Sequence, residues 1–429
     1  MTDAVGSAGH RHVRLPGPLR HPWFAAFVGA VSVGATAAEL RAIVLPLLAL
    51  ELTHSFAVAA ALRFVEFVPY VFFGAVSGVL IDRADKRRVL VAADALSCVL
   101  SAAIPISALL GAFSLELVFV VAFLLGACEV VWYLTSDFSI VPALVHPAEL
   151  TAGNAAYQSA ERIAHVAGPA LAGIGIAWLG TTGAMWIAAA AFIPTLAVAA
   201  TMPPVDAPRV EDREPLTAVG VGRDVRAGFA FIGRSAILRA LVVFQLITNL
   251  GNTGIQTLLL FVLAEEHHLD PLTIGLALAA TGLAQVAGSL AAPWLARGRP
   301  LGRTILGVVL AAGFGAAIAA VARDWRLIAA AVGVRQGVWA AQYVYLLIPR
   351  QREIPVEIRG QVNGSFRTVI LASTSASAPF LSAIQGIAGS PAAFGACALL
   401  ALAAATIAYL SRIRDYDIRA PAEADASSA

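Results

Sequence analysis

The chain is built from apolar runs long enough to cross a membrane, and most of the breaks between them hold only a few residues. A transmembrane helix needs about 20 predominantly apolar residues. Connections this short force neighbouring helices to run antiparallel. The pattern predicts an all-α polytopic membrane protein with twelve transmembrane helices, at residues 23–50, 55–81, 89–110, 115–136, 156–178, 182–201, 237–263, 272–296, 302–322, 326–348, 362–387 and 391–411.

The composition excludes several classes of protein. Residues are 59% hydrophobic and 13% charged, whereas soluble domains carry about 25% charge. The single lysine, Lys86, has no glycine-rich phosphate loop around it, which argues against an ATP-driven pump. Cys98, Cys128 and Cys397 lie in separate apolar runs, so we expect buried thiols and neither a disulfide nor a metal site. We expect no cofactor and no nucleic-acid partner. We also expect no enzyme active site, because the chain has no coherent nucleophile–base pair.

The longest polar break divides the twelve runs into two groups of six. Within it, Val219–Arg234 alternates basic and apolar residues at helical spacing, which predicts an amphipathic helix on the membrane surface. The first residues are polar and lack the apolar core of a signal peptide. The predicted order is a tail, a six-helix bundle, a linker, a second six-helix bundle and a second tail, at residues 1–22, 23–201, 202–235, 236–412 and 413–429.

The distribution of basic residues predicts the orientation in the cell membrane. The two tails and the even-numbered loops hold 22 of the 29 lysines and arginines, and the odd-numbered loops hold two. Basic residues in short loops stay on the cytoplasmic side. Both termini are therefore predicted to be cytoplasmic.

A charged turn between the second and third runs carries the most specific motif. Six of the seven residues from Asp82 to Arg88 are charged. The segment Gly78–Leu90 resembles the G-x-L-x-D-R-x-G-R-R signature of major facilitator superfamily transporters. The matching residues are Gly78, Leu80, Asp82, Arg83, Arg87 and Leu90, whereas Asp85 replaces a glycine and Lys86 an arginine.

The two halves of the chain also resemble each other. Val141–Asn154 precedes the fifth run, and the similar segment Ile348–Asn363 precedes the eleventh. Parallel repeats of six helices are the arrangement of the major facilitator fold. The equivalent second-half turn, Gly288–Arg303, keeps its glycine and arginines but has no aspartate.

The resemblance implies a gating role for the charged turn. Asp82 held against basic groups would latch the two bundles together at the cytoplasmic face, with Gly78 allowing close helix approach. The residues assigned to this motif are Gly78, Asp82, Arg83, Arg87 and Arg88. The alternative is an ordinary basic cytoplasmic turn, and participation of Asp94 or Glu129 stays open.

A glycine–proline motif lies in the fifth run. Gly168, Pro169 and Gly173 resemble the motif of antiporter branches of the superfamily, which would imply a kink that favours export. Close helix packing explains the same residues equally well. With the segment before the eleventh run, the chain looks most like the macrolide-efflux and enterobactin-exporter branch.

Ionisable residues in the first two runs give the sharpest indication of mechanism, because such residues are costly in a bilayer unless they have partners. Counted from the outer ends, Arg41 is about 15 Å deep, Glu66 about 16 Å, Arg63 about 12 Å and Glu39 about 18 Å. We therefore expect an Arg41–Glu66 pair. Arg63 and Glu66 share a face and can also act together.

Glu39 is then the carboxylate near mid-membrane with no assigned partner. Such a group can exchange protons near neutral pH. Glu39 is the first candidate for proton coupling and Glu129 the second. The alternative is a static network that holds the first two helices together.

Other polar residues in the runs allow two interpretations. Arg335 and Gln336, with Asn249, Asn252 and Gln256, can line a central cavity or bridge neighbouring helices. Glu161, Arg162 and His165, near the start of the fifth run, are interpreted as solvated interface residues.

The predicted function is secondary active export of a small organic molecule, such as an antibiotic, a drug or a siderophore. Protons drive it by alternating access, so the expected partners are the substrate, protons and the lipid bilayer, and the expected state is a monomer. The alternatives are a nutrient uptake symporter or uniporter and a non-transporting membrane sensor on the same scaffold.

Overall fold

The structure is a computed structural model that describes residues 17–83, 85–136, 140–146, 149–202, 218–295, 300–355 and 358–416. The described residues form α-helices and short 3₁₀ and π turns. We call residues 17–202 the first half and residues 218–416 the second half. The helices are α1 Pro22–Thr53, α2 Phe56–Arg83, α3 Lys86–Leu109, α4 Leu115–Thr135, α5 Val141–Leu144, α6 Leu150–Thr201, α7 Ala218–Arg234, α8 Ala236–Leu250, α9 Thr253–Phe261, α10 Pro271–Leu295, α11 Leu301–Val321, α12 Trp325–Glu353 and α13 Arg359–Leu410.

The helices have the lengths of membrane spans. Within the described residues, eight helical segments are long and apolar enough to cross a bilayer. Two of these, Ala152–Thr201 and Val362–Leu410, are 50 and 49 residues long, about twice the length that one crossing needs. α2 and α12, with 28 and 29 residues, lie outside the eight. The all-α polytopic prediction is confirmed, and the count of twelve stays a prediction.

Each of the two longest helices turns back at a glycine. Gly180 has φ +73° and Gly389 has φ +79°, a conformation that residues with a Cβ rarely adopt. A Cβ at Gly175 would lie 2.6 Å from Ile187 Cδ1. In a straight helix these residues would be about 18 Å apart along the axis. The glycines lie in the predicted breaks after residues 178 and 387.

The seventh predicted run is interrupted in the middle. α8 ends at Leu250, α9 begins at Thr253, and a π-helical turn follows at Val262–Glu266. Hydropathy predicted one continuous helix over residues 237–263. The interruption leaves backbone groups that need other hydrogen-bond partners inside the protein.

The halves meet mainly along two pairs of helices, and α9 adds smaller contacts with α1 and α2. α6 packs against α10, and α2 packs against α13. At the first contact, a Cβ on Gly173 would lie 2.9 Å from the Cα of Gly275. Only glycine on both helices permits this approach, so Gly173 takes part in close helix packing, and a kink that favours export stays a prediction.

The hydrophobic core is shared at one end of the bundle and divided at the other. We call the end where α1 begins the near face and the opposite end the far face. Within the described part of the chain, the far-face cluster draws residues from both halves, including Phe56 and Phe261 with ring centroids 5.2 Å apart. Toward the near face, one cluster belongs to the first half and another to the second. The halves therefore share one hydrophobic cluster at the far face and have separate clusters toward the near face, where the Arg367 guanidinium of the second half lies over the Tyr133 ring of the first half, 5.5 Å from its centroid.

The segment predicted as an amphipathic helix on the membrane surface, Val219–Arg234, is helical as α7, Ala218–Arg234, and its place on the membrane surface stays a prediction. Its arginines Arg223, Arg226 and Arg234 are exposed, whereas Ile232 is buried in the second-half cluster. The helix packs on α8 and α13.

The charged turn joins α2 to α3. Gly78, Asp82 and Arg83 belong to α2, but their side chains lie outside the described part of the structure. Asp85 caps α3 by accepting hydrogen bonds from the backbone N–H groups of Arg87 at 3.0 Å and Arg88 at 3.3 Å. This explains the aspartate at a position where the signature has glycine.

Candidate functional site

A cavity of about 610 Å³ lies between the halves and extends from the middle of the bundle toward the near face. Its volume falls in the range of small-molecule sites. The first half contributes most of its acidic side chains, and α12 and α13 contribute arginines. Its polar and aromatic lining consists of Glu39, Arg41, Tyr70, Asp94, Ser97, Cys128, Glu129, Trp132, Tyr133, Glu161, His165, Phe192, Tyr343, Arg350, Asn363 and Arg367. We call it the main cavity.

Arg41, Glu129 and Tyr70 form a hydrogen-bonded cluster on its wall. Arg41 is 2% exposed and donates to Glu129 Oε2 at 3.2 Å. The Tyr70 hydroxyl donates to Glu129 Oε1 at 2.9 Å. The Arg41 guanidinium also lies over the Phe192 ring, 5.4 Å from its centroid. The cluster ties α1, α2 and α4 together and presents Glu129, the second proton candidate, to the cavity.

The predicted Arg41–Glu66 pair is corrected by the structure. Glu66 instead accepts a hydrogen bond from Arg63, three residues earlier on the same helix. Depth along two helices matches residues at the same level, but it does not say which face of each helix points toward the other. The predicted partnership of Arg63 and Glu66 is the one observed.

Glu39 pairs with His165. The His165 Nδ1 atom is 2.9 Å from Glu39 Oε1. Gly168 makes this contact possible, because a Cβ there would be 3.1 Å from the backbone carbonyl carbon of Glu39 and closer still to its Cβ. Gly168 and His165 lie one turn apart on the same face of α6. The sequence-based interpretation of His165 as an interface residue missed this role.

A second cavity, of about 220 Å³, also lies between the halves. It shares Glu39 and His165 with the main cavity. We call it the inner cavity. Its lining residues are Glu39, Ala42, Ile43, Arg63, His165, Pro169, Asn252, Thr253, Gln256, Thr257, Leu260, Leu278, Thr281, Gln285, Gln336 and Trp339.

The structure places only some of the predicted cavity residues of the second half in the lining of a cavity. Asn252, Gln256 and Gln336 line the inner cavity. Asn249 and Arg335 are buried but belong to the lining of neither cavity.

Arg335 holds the interrupted helix together. It donates to Asn252 Oδ1 and to the Gly251 carbonyl, each at 2.7 Å. Ser377 donates to the Leu250 carbonyl at 2.7 Å. The Gly251 and Leu250 carbonyls, which a continuous helix would have bonded itself, thus accept hydrogen bonds from side chains. No ion pair to Arg335 occurs in the described part of the chain, so its observed role is to support the break between α8 and α9.

Asp94 is a site residue that the sequence left undecided. It lines the main cavity, is 3% exposed and lies within hydrogen-bonding reach of the Thr195 hydroxyl. No cation pairs with it among the described residues. A buried carboxylate inside a membrane helix is a signal of function. Sequence reasoning considered it only as a member of the turn network.

The basic residues of the charged turn make contacts within the first half. The Arg87 guanidinium donates to the Ala200 carbonyl near the end of α6. Arg88 Nε lies 3.3 Å from Asp85 Oδ2 on the surface. The described contacts of Arg87 and Arg88 therefore do not cross to the second half in this state.

Comparison with known proteins identifies the family. Residues 23–369 match the Major Facilitator Superfamily. The chain belongs to this superfamily. It is 26% identical over 413 residues to a protein from Mycolicibacterium fortuitum named multidrug efflux pump Tap, with 94% of this chain and 98% of the relative covered.

Solved structures show the same fold. A D-xylose-proton symporter superposes with a TM-score of 0.73 at 12% identity, covering 92% of this chain and 98% of that one. A bacterial homologue of the iron transporter ferroportin in the inward-facing state superposes with a TM-score of 0.68 at 16% identity, covering 90% and 98%. The predicted major facilitator fold is confirmed, and the chain is a multi-pass membrane transporter.

Proposed function

We propose that the protein exports a small organic molecule in exchange for protons by alternating access. The observation that carries this proposal is the main cavity, which lies between two halves closed at the far face and ends near mid-membrane at the Glu39–His165 pair. Such a cavity can load a substrate from the near face. An ionisable pair on its wall can couple that loading to protons.

Export follows if the near face is cytoplasmic, as the distribution of basic residues predicts. In that orientation the observed state takes up its substrate from the cytoplasm. The Tap relative, which is named a multidrug efflux pump, supports the same direction. Antibiotics, drugs and siderophores are the substrates proposed.

Glu39 is the proposed proton site. Protonation of Glu39 removes its charge and weakens its bond to His165, whereas deprotonation restores the pair. The pair contacts the second half, because Gly282 of α10 packs against the backbone of His165. A change at Glu39 can therefore reach the contact between the halves. Glu129 is the second proposed site, and it accepts hydrogen bonds from Arg41 and Tyr70 on the wall of the main cavity.

The charged turn is proposed to act in the alternate state. Asp82, Arg83, Arg87 and Arg88 would tie the halves together when the near face closes, with Gly78 allowing the helices to approach. In the observed state the described contacts of Arg87 and Arg88 stay within the first half, which is compatible with a released latch. The proposed unit of transport is a single chain.

The experiment compares the parent with Glu39→Gln. A drug and siderophore accumulation assay, in cells lacking their own exporters, first identifies a transported compound. Inverted vesicles with an imposed pH gradient then measure its accumulation. Gradient-driven accumulation should vanish in Glu39→Gln, while downhill exchange continues, because glutamine keeps the shape but carries no titratable proton. Glu116→Gln is the control, since Glu116 is exposed at the start of α4.

Full gradient-driven accumulation by Glu39→Gln would eliminate Glu39 as the proton site and transfer the role to Glu129. Accumulation of the compound in whole cells, rather than its depletion, would replace export by uptake. Expression of the parent without movement of any compound in the panel would favour the sensor alternative.

A further inference from the structure

The two cavities meet at the Glu39–His165 pair. Both side chains belong to the lining of each cavity, and they lie 2.9 Å apart. Glu39 projects from α1 and His165 from α6, so the pair joins two helices of the first half. A ligand that passes from the main cavity to the inner cavity along this wall has to separate the two side chains.

The second half supplies a wall of amides and hydroxyls to the inner cavity. The interruption between α8 and α9 places Asn252, Thr253 and Gln256 there. α10 adds Gln285, and α12 adds Gln336 and the ring of Trp339. Amides both donate and accept hydrogen bonds. This wall therefore matches a ligand group that also has donors and acceptors.

The charged side chains of the inner cavity already have partners. Glu39 is bound to His165, and Arg63 is bound to Glu66. Bringing a charged ligand group into this space would leave a charge uncompensated, which is costly away from water. The lining therefore favours a neutral polar group over an ammonium or a carboxylate.

The cavity is roomy enough for such a group. Its volume of about 220 Å³ exceeds by many times the 10–15 Å³ that one water needs. The Trp339 ring packs against Tyr343, with ring centroids 6.1 Å apart and planes inclined by 34°, and so offers an aromatic face to the cavity. Aromatic faces next to amides suit hydroxylated rings, which have apolar C–H faces and polar edges.

We propose that the inner cavity is a second binding compartment, which takes a neutral group rich in hydroxyls or amides on the transported molecule. The group reaches it from the main cavity by parting Glu39 from His165. The inference rests on the proposed transport of a small organic molecule. It adds to that function a place where one part of the substrate is recognised and a barrier that the substrate crosses.

The barrier is tested by cysteine labelling, which needs no transport. The three native cysteines are replaced by alanine, and single cysteines are introduced at Thr253 in the inner cavity and at Ala35 in the main cavity. N-ethylmaleimide is applied in inverted vesicles. Labelling at Thr253→Cys should be slow, and it should rise at least about tenfold when Glu39→Gln or His165→Phe removes the charge-assisted bond. Labelling at Ala35→Cys should stay unchanged.

A third cysteine distinguishes the loss of a local barrier from an opening of the whole protein. Leu258 is fully buried in the far-face cluster. If Leu258→Cys gains labelling together with Thr253→Cys, the far face has opened and the local barrier is overturned. Equal labelling at Thr253→Cys with and without the Glu39–His165 pair would overturn it as well.

The ligand class is tested by protection of Thr253→Cys from N-ethylmaleimide. The probes are a coumarin dye that carries a neutral glucosyl group and the same dye with a methyl group in its place. The glucosyl dye should protect the cysteine, and Gln256→Leu or Gln336→Leu should abolish that protection. Equal protection by both dyes, or protection by neither, would overturn the assigned class. Protection is a binding measurement, so it stands apart from a failure of proton-driven export.

Discussion

Replacing Gly168 by alanine should disrupt the contact that places His165 against Glu39. An added Cβ would lie roughly 1 Å closer to Glu39 Cβ than the 3.4 Å at which ordinary contact begins. It would also be 3.1 Å from the backbone nitrogen of Leu40, so a side-chain rotation alone cannot relieve the clash. α1 and α6 must therefore separate by roughly 1 Å. The Glu39–His165 distance of 2.9 Å would then pass the hydrogen-bonding limit of about 3.5 Å.

The expected cost has two parts. Overpacking costs about 1–3 kcal/mol, and loss of a hydrogen bond to a charged group costs about 1.5–3 kcal/mol. Together they amount to roughly 2.5–6 kcal/mol of folding stability. Thermal unfolding of the purified protein in detergent measures this loss, and gradient-driven efflux should fall with it. Gly29→Ala in α1 is the matched control, because nothing lies within 4 Å of its added Cβ. A Gly168→Ala variant with the melting temperature and efflux of the parent would refute this account of the α1–α6 contact.

Two further variants test other parts of the structure. Arg335→Met should destabilise the protein by about 2–4 kcal/mol, since it leaves the Gly251 carbonyl and Asn252 Oδ1 buried without donors. Thermal unfolding measures the loss, with Arg326→Met at an exposed position as the control. An unchanged melting temperature of Arg335→Met would show that the break between α8 and α9 holds without Arg335. Asp82→Asn should insert normally but slow transport several-fold, because the proposed latch loses its charge; transport at the parent's rate would leave the charged turn as a signal of topology alone.

The sequence predicts the helices because the membrane imposes a simple rule on them. Every spanning segment must bury about 20 residues in hydrocarbon, and this length shows in hydropathy. The turns at Gly180 and Gly389 fall in predicted breaks because polar or small residues interrupt the apolar runs there. The break between α8 and α9 was missed because the run around it stays apolar on average. The signal that could have revealed it is the cluster Asn249, Gly251 and Asn252, whose residue types disfavour a continuous helix.

The site was harder to predict than the helices. His165 was placed near the membrane surface because the fifth run was taken to begin at residue 156, whereas α6 begins at Leu150. The extra six residues set His165 about 9 Å further from the helix start than the prediction allowed. Arg41 pairs with Glu129 on α4. The rotation of each helix about its axis decides which side chains meet, and depth along the helix does not reveal this rotation.

The shared hydrophobic cluster at the far face should make the proposed transport cycle depend on temperature. Opening that face separates surfaces such as the rings of Phe56 and Phe261 and brings water to them. Hydration of apolar surface raises the heat capacity. The equilibrium between the proposed states with the far face closed and open should therefore follow a curved van 't Hoff plot. The closed far face also loses hydrophobic stabilisation on cooling. The equilibrium between the state that loads substrate and the state that releases it should therefore depend on the temperature at which the cell grows.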